Sequence, residues 1–267
     1  MGLCGKIISP YRPGGLATLE SVMKPEEYEK MYAAEQTYFW FVGKQRTISR
    51  ILSRFIEQRS PAILDLGCGT GTNLDSLGKF GEAWGIDESD LALGFCQKRG
   101  LGLLVQGMAE RLPFCEDCFD LVCALDLLEH LADDDAALSE AFRVLKPGGI
   151  LLVTVPAYPY FFGAHDHAMG HYRRYKKAGL GSKVMGVGFS LIRMSYYMSL
   201  LFPATLLLKL YQKRFGSKTE TISYHVHPLL NRFFLFLCEL ESRMLVYLDM
   251  PAGTSIILIA RKPVSGL

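Results

Sequence analysis

The residues best suited to holding a ligand form one short run, Asp65-Leu66-Gly67-Cys68-Gly69-Thr70-Gly71, which follows the apolar stretch Ala62-Ile63-Leu64 and precedes a helical pattern. Glycine at every second position permits positive φ and removes Cβ atoms, so the backbone there can lie against a ligand. Between a strand and a helix, such a turn sits where open α/β sheets take their ligands. The next strand ends in Gly85-Ile86-Asp87, from which a carboxylate reaches both ribose hydroxyls of an adenosine; the alternative for Asp87 is a helix N-cap. Two nucleoside cofactors fit. A nicotinamide dinucleotide wants Gly-x-Gly-x-x-Gly and a diphosphate on the helix N-terminus. Here Thr72 follows Gly71, and Asp65 stands just ahead of the glycines, where it would repel a diphosphate. The same acid suits the ammonium and sulfonium of S-adenosylmethionine, and that cofactor is expected.

A second concentration of chemistry lies in Pro156–Tyr175, where His165, Asp166, His167 and His171 stand among Tyr158, Tyr160, Phe161 and Phe162. Histidine titrates near neutral pH, so His165 and His171 are the candidate general bases, with Asp166 as their orienter. Tyr158 and Tyr160 are candidate substrate contacts, and Arg173 and Arg174 candidate holders of a phosphate or carboxylate. Glu129-His130 would touch cofactor or substrate, or else cap the next helix. No metal is expected. The histidines lack a further spaced ligand, and Cys115-Glu116-Asp117-Cys118 is one CxxC without a second pair.

The elements that must position these groups alternate in type. Strands are expected at 62–65, 83–87, 102–106, 119–125 and 150–155, with helices at 73–80, 91–99 and 133–145, the last stopped by Lys146-Pro147-Gly148-Gly149. That rhythm implies a parallel, doubly wound sheet. Strand candidates at 189–197 and 255–260 follow, separated by helices near 199–215 and 228–248. Ahead of the first strand, residues 1–25 read as a loose arm and Pro25–Ile56 as helical, with the aromatic cluster Tyr38, Phe39, Trp40, Phe41.

These motifs together resemble the class I S-adenosylmethionine-dependent methyltransferases, particularly the branch of ubiquinone- and menaquinone-type methylases, over about residues 60–160. Ile63–Gly71 is similar to their first motif and Gly85–Asp87 to their acidic motif. Gly107-Met108-Ala109-Glu110-Arg111-Leu112-Pro113-Phe114 is similar to the stretch along the adenine, Phe119–Val122 through Leu127–His130 to the fourth strand and its exit, and Leu145–Gly149 to the turn before the fifth. The resemblance implies a Rossmann-like α/β fold: a seven-stranded sheet with an antiparallel last strand, an N-terminal helical lid, and a helical insertion between strands six and seven. It divides the chain into an arm and lid (1–58), a core (59–198 and 249–267) and the insertion (199–248). It also assigns Asp65, Gly67, Gly69, Gly71, Asp87, Met108, Ala109, Leu125 and His130 to the cofactor, and places Trp40 in a lid near the substrate. Met108 is a departure, since the family usually has Asp there.

Composition narrows the rest. The 267 residues are 49% hydrophobic and carry a formal charge of +2, which allows a sizeable core and argues against a nucleic-acid partner. The balance hides a segregation. Glu110–Glu140 holds ten acidic residues and one basic one, whereas His171–Lys218 holds ten basic and no acidic residues around the uncharged run Met194–Leu208. Such a segment is too short to span a bilayer but suits a membrane interface or the cap of a hydrophobic pocket. Seven cysteines without regular spacing, and no leader-like segment, read as reduced thiols of a cytoplasmic protein, peripheral at an inner membrane face. The expected activity is in-line methyl transfer to a small or lipid-like acceptor at O or N; the alternative is a non-catalytic cofactor-binding partner or scaffold.

Overall fold

The computed structural model describes residues 25–56, 60–215, 224 and 226–264; the arm at 1–24 lies outside them. Seven strands form one sheet in the order β3-β2-β1-β4-β5-β7-β6: β1 (Ala62–Leu66), β2 (Glu82–Asp87), β3 (Leu104–Gln106), β4 (Phe119–Leu125), β5 (Leu145–Pro156), β6 (Ser190–Tyr197) and β7 (Ser255–Arg261). The first five pair in parallel, while β7 runs antiparallel between β5 and β6. This is the seven-stranded, Rossmann-like sheet expected. Successive side chains of a strand point to opposite faces, so Ile63, Leu121, Cys123 and Leu152 enter one hydrophobic layer and Leu64, Val122, Ala124 and Leu151 the other.

The helices that cover these layers are α1 (Pro25–Ala34), α2 (Phe39–Phe55), α3 (Thr72–Leu77), α4 (Asp90–Lys98), α5 (Asp134–Val144), α6 (Ala164–Ala168), α7 (Lys177–Val187), α8 (Phe202–Phe215) and α9 (Pro228–Met244). Ala137, Leu138 and Val144 of α5 pack with Leu180 and Val184 of α7 in one layer. On the opposite face, Ile48, Ile51 and Leu52 of α2 pack with Cys238 of α9. The last helix steadies α2 and the turn before it: Asn231 Oδ1 accepts from Phe39 N at 2.9 Å, Asn231 Nδ2 donates to Thr37 O at 2.8 Å, and Arg50 donates to Glu239 at 2.7 Å.

Three local expectations are corrected. Pro25–Ile56 is two helices, because the chain turns after Ala34 and sends Glu35 into the interior. Lys146-Pro147-Gly148-Gly149 does not interrupt β5. Gly148 adopts φ +83°, and Gly148 and Gly149 exchange backbone hydrogen bonds with Lys262 beyond β7. Finally, α7 was not anticipated, since Gly179, Gly181 and Gly186 dilute its helical pattern.

Candidate active site

The glycine turn leaves the end of β1 at the carboxyl edge of the sheet. Gly67, Gly69 and Gly71 have φ of +63°, +54° and +87°. A Cβ on Gly67 would fall 2.5 Å from Leu127 Cδ1, so that glycine is needed for packing. A Cβ on Gly69 would meet nothing within 4 Å, so the turn has open ground on that side. Asp87, at the end of β2, accepts from Gly69 N through Oδ2 and from Ser89 N through Oδ1, both at 2.9 Å. The helix-capping alternative belongs to Ser89, whose Oγ accepts from Ala92 N. A carboxylate has about four acceptor sites, so two bonds leave Asp87 capacity for a ribose diol.

Asp65 lies beneath the turn, 1% exposed, and its Oδ2 has no partner. Burial pushes its carboxyl up to about 7, against the pull of Lys44 and with the help of Asp87. Burial likewise pushes Asp87 up to about 6, opposed by the N–H groups of Ser89 and Gly69. An orphaned buried carboxyl oxygen beside open glycine backbone fits a cationic nucleoside and opposes a diphosphate, which would face two acids. The residues present therefore fit S-adenosylmethionine.

The pH dependence follows with a definite sign. Folded-state values above the ordinary 3.8 mean that these acids favour the free fold most at low pH, and that this contribution is lost as pH rises through about 6 to 7. A cationic ligand binds the ionised form, so its affinity moves the other way. Calorimetric titration with S-adenosylmethionine should show binding tightening from pH 5.5 to 7.5 with proton release in the lower half of that range. A flat profile would exclude both acids from the cation's surroundings.

A second layer of residues, invisible to the sequence reading, fastens the turn to the N-terminal helices. Glu35 is 3% exposed, accepts from Thr70 Oγ1 at 2.6 Å and from Arg99 Nη2 at 2.6 Å, while Arg99 Nε donates to Thr70 O at 2.7 Å. Arg99 also stacks over Tyr32, 4.3 Å from the ring centroid. From α2, Lys44 reaches inward, 6% exposed, and donates to Asp126 Oδ2 at 2.7 Å; Thr154 Oγ1 donates to Asp126 Oδ1 at 2.8 Å.

The third group is formed by α6 and the loop that follows it. His171 Nδ1 lies 3.1 Å from Asp166 Oδ1, and Arg174 Nε donates to the same oxygen at 2.6 Å. Asp166 is fully buried, yet these partners hold its carboxyl far below the usual range. The rings of His130 and His171 meet edge to face at 4.5 Å. Burial, and then the charge of His171, push His130 down to about 4, so its imidazole is neutral at physiological pH. Tyr172 N donates to Glu129 O at 2.7 Å and ties the loop to the exit of β4.

The remaining candidates spread out. His165 is on the exposed side of α6. Tyr160 is 67% exposed, whereas Tyr158 stacks on Tyr196 with centroids 5.3 Å apart. Trp40 packs on the hydrophobic layer beneath α2. Both arginines face inward: Arg173 donates to Asp134 and Ala132 O, and Arg174 to Asp166 and Ala157 O. Met108 is 44% exposed, whereas Ala109 and Leu125 are buried.

Sheet order, glycine turn and paired acids are those of the class I S-adenosylmethionine-dependent methyltransferase fold. Residues 64–153 match the methyltransferase domain family. Among curated proteins, the chain is similar to the ubiquinone/menaquinone biosynthesis C-methyltransferase UbiE of Vibrio vulnificus, 38% identical over 133 residues, which are 43% of this chain and 50% of that protein. It resembles the Escherichia coli protein of the same name at 38% over 110 residues, 36% of this chain and 43% of that one. The chain thus spans about half the length of the curated relatives it matches. Among solved structures, a methyltransferase bound to the Trm112 activator from Haloferax volcanii has a TM-score of 0.59 at 18% identity, covering 91% of this chain and 96% of that one. A methyltransferase from Thermotoga maritima has a TM-score of 0.54 at 16% identity, covering 89% and 95%. At these identities the structural likeness concerns the fold alone.

Proposed function

We propose that this protein transfers the methyl group of S-adenosylmethionine to a small or lipid-like acceptor, at oxygen or nitrogen, in the space between the glycine turn and the 156–175 loop. The observation that carries the proposal is the open glycine turn with the buried, unpartnered Oδ2 of Asp65 beside it, at the sheet edge where β4 runs out into Asp126, Glu129 and His130. Cofactor and acceptor machinery therefore share one edge of the sheet. The cofactor supplies an electrophilic methyl group. The protein's task is to align the acceptor about 3 to 3.5 Å from it and to prepare the attacking atom. His171, oriented by Asp166, serves that preparation; His165, exposed on α6, is a lesser candidate for it. His171→Ala should leave cofactor affinity within about twofold and lower turnover of labelled S-adenosylmethionine against a lipid extract by about 100-fold or more, as loss of a general acid–base group does. Full turnover in that variant would remove His171 from the chemistry. Cofactor binding without turnover against any acceptor would favour a scaffold.

A second reading, methylation at carbon of a quinone-like acceptor, is supported by the relatives, which are named C-methyltransferases of ubiquinone and menaquinone biosynthesis. The family match ends at residue 153, ahead of the loop, and so does not extend to the acceptor. Identification of the methylated atom in the product decides between the two.

We further propose that the protein works at an anionic membrane surface, through α8 and α9. No helix among the described residues is long and apolar enough to cross a membrane. What supports peripheral attachment is an outward stripe on α9, Leu229, Phe233, Phe236 and Leu240, which are 69%, 53%, 63% and 42% exposed at helical spacing. Leu207 and Leu208 of α8 are exposed as well. The chain cosediments with phosphatidylglycerol vesicles on this reading, and Phe233→Asp with Phe236→Asp releases it. Equal recovery of the double variant with vesicles would refute this attachment.

A further inference from the structure

Glu129, His130 and His171 each place one ligand-type atom within 4.8 Å of the others. Two of them come from the short helical turn Leu128–His130 after β4, and the third from the loop beyond α6. Glu129 is 1% exposed and its Oε2 has no hydrogen-bond partner. The cations nearby are engaged elsewhere, Lys44 on Asp126 and Arg174 on Asp166. A buried carboxylate oxygen left without a partner is costly unless something positive meets it.

The surroundings of His171 indicate what that is. Its Nδ1 faces Asp166, itself fixed by Arg174 and by Gly163 N at 2.9 Å, which leaves Nε2 for another partner. Metal-binding histidines characteristically pair their other ring nitrogen with a carboxylate in this way, which sets the tautomer and raises the basicity of the ligating nitrogen. His130 lies edge to face with His171, with ring centroids 4.5 Å apart.

We propose that Glu129, His130 and His171 bind one divalent transition-metal ion of the zinc class. Two imidazoles and a carboxylate are borderline-to-hard donors suited to such an ion, and three protein ligands leave a fourth position open, the arrangement of catalytic rather than structural sites. The inference rests on the proposed methyl transfer for its role and deepens it by naming the acceptor's chemistry, a hydroxyl group. The hydroxyl oxygen takes the open position, its acidity rises, and its proton passes to solvent. The oxyanion's electron pair then forms the new O–CH3 bond while the S–CH3 pair returns to sulfur, leaving a neutral thioether. His171 then acts on the acceptor as a ligand and not as a free base.

The test uses the full chain, stripped with EDTA and titrated with Zn2+ by calorimetry and with Co2+ by visible absorption. One ion per chain is expected. Glu129→Gln, His130→Ala and His171→Ala should each weaken binding by at least about tenfold, and Asp166→Asn by about 10- to 100-fold as loss of an orienting partner does. Cys115→Ser, at an exposed thiol that is not among the clustered ligand atoms, should leave binding unchanged. S-adenosylhomocysteine affinity, measured on every variant, shows that the fold is retained. Less than a fifth of an ion per chain, or equal binding by the triple Glu129→Gln/His130→Ala/His171→Ala variant, would overturn the site. Full methyl transfer by the stripped protein would overturn its role. An ion bound at these residues with no turnover of any acceptor supports the site and sinks the methyl-transfer reading instead.

Discussion

Asp87→Ala is expected to weaken S-adenosylmethionine binding by about 100-fold at pH 7.5, measured by calorimetry. The carboxylate has two tasks. It braces the turn by accepting from Gly69 N, and it keeps lone pairs for the ribose hydroxyls of the cofactor. A hydrogen bond to a charged group contributes about 1.5 to 3 kcal/mol, and 1.4 kcal/mol is a factor of ten. Two hydroxyl contacts would account for the hundredfold by themselves. Asp87→Asn keeps an acceptor oxygen without the charge and should fall between wild type and alanine. Equal affinities for all three would remove Asp87 from the ribose.

Lys44→Met should destabilise the fold by about 3 kcal/mol, in the range for breaking a buried ion pair. Urea denaturation at pH 7.5 measures it. Lys44 is nearly inaccessible, bonds Asp126, and its charge also acts on Asp65, Glu129 and His130. Removing the ammonium leaves a cluster of acids without its central cation. The sign of the pH effect is fixed. Burial alone would raise the Asp126 carboxyl, but Lys44 and the bonds from Lys44 and Thr154 hold it below 3.8. Its stabilisation is therefore present above that value and lost only in strong acid. Without Lys44 the folded value rises, so the deficit of Lys44→Met should be largest near neutrality and shrink toward pH 4. Combining Lys44→Met with Asp126→Asn should recover part of the loss, since an uncompensated charge disappears. A deficit independent of pH would place the effect in packing instead.

Both predictions concern residues whose visibility in the sequence differs sharply. Asp87 is legible because strand periodicity, the glycine spacing and a terminal acid all lie within a continuous α/β pattern. Short-range chemistry of that kind survives folding with little rearrangement. Glu35 and Lys44 were not legible. Single charges on helices usually face water, and only the tertiary approach of α1 and α2 to the sheet makes these two the buried partners of Thr70, Arg99 and Asp126. The cluster of His130, His171 and Glu129 was half legible: each member stood in a suspected segment, but its assembly depends on the turn after β4 meeting a loop some forty residues on.

The charge segregation shows the same limit. The basic run after residue 171 looked free to meet anionic substrates or lipids. Part of it is consumed internally, because Arg173 and Lys183 pair with Asp134, and Lys183 also with Asp135, from the acidic run. Those carboxylates and cations lie on α5, α7 and the adjoining loop, neighbours in one layer. Sequence distance concealed their proximity. The apolar content of 199–248, by contrast, is expressed both inward and outward: Cys238 and Leu245 enter the core, while Leu229, Phe233 and Phe236 face solvent.

The most direct test of the whole account is a competitive titration of the full chain with S-adenosylmethionine and with a nicotinamide dinucleotide at pH 7.5. The sulfonium nucleoside should bind one per chain and displace nothing, while the dinucleotide gives no heat at the same concentrations. Stoichiometric uptake of the dinucleotide, with none of S-adenosylmethionine, would contradict it.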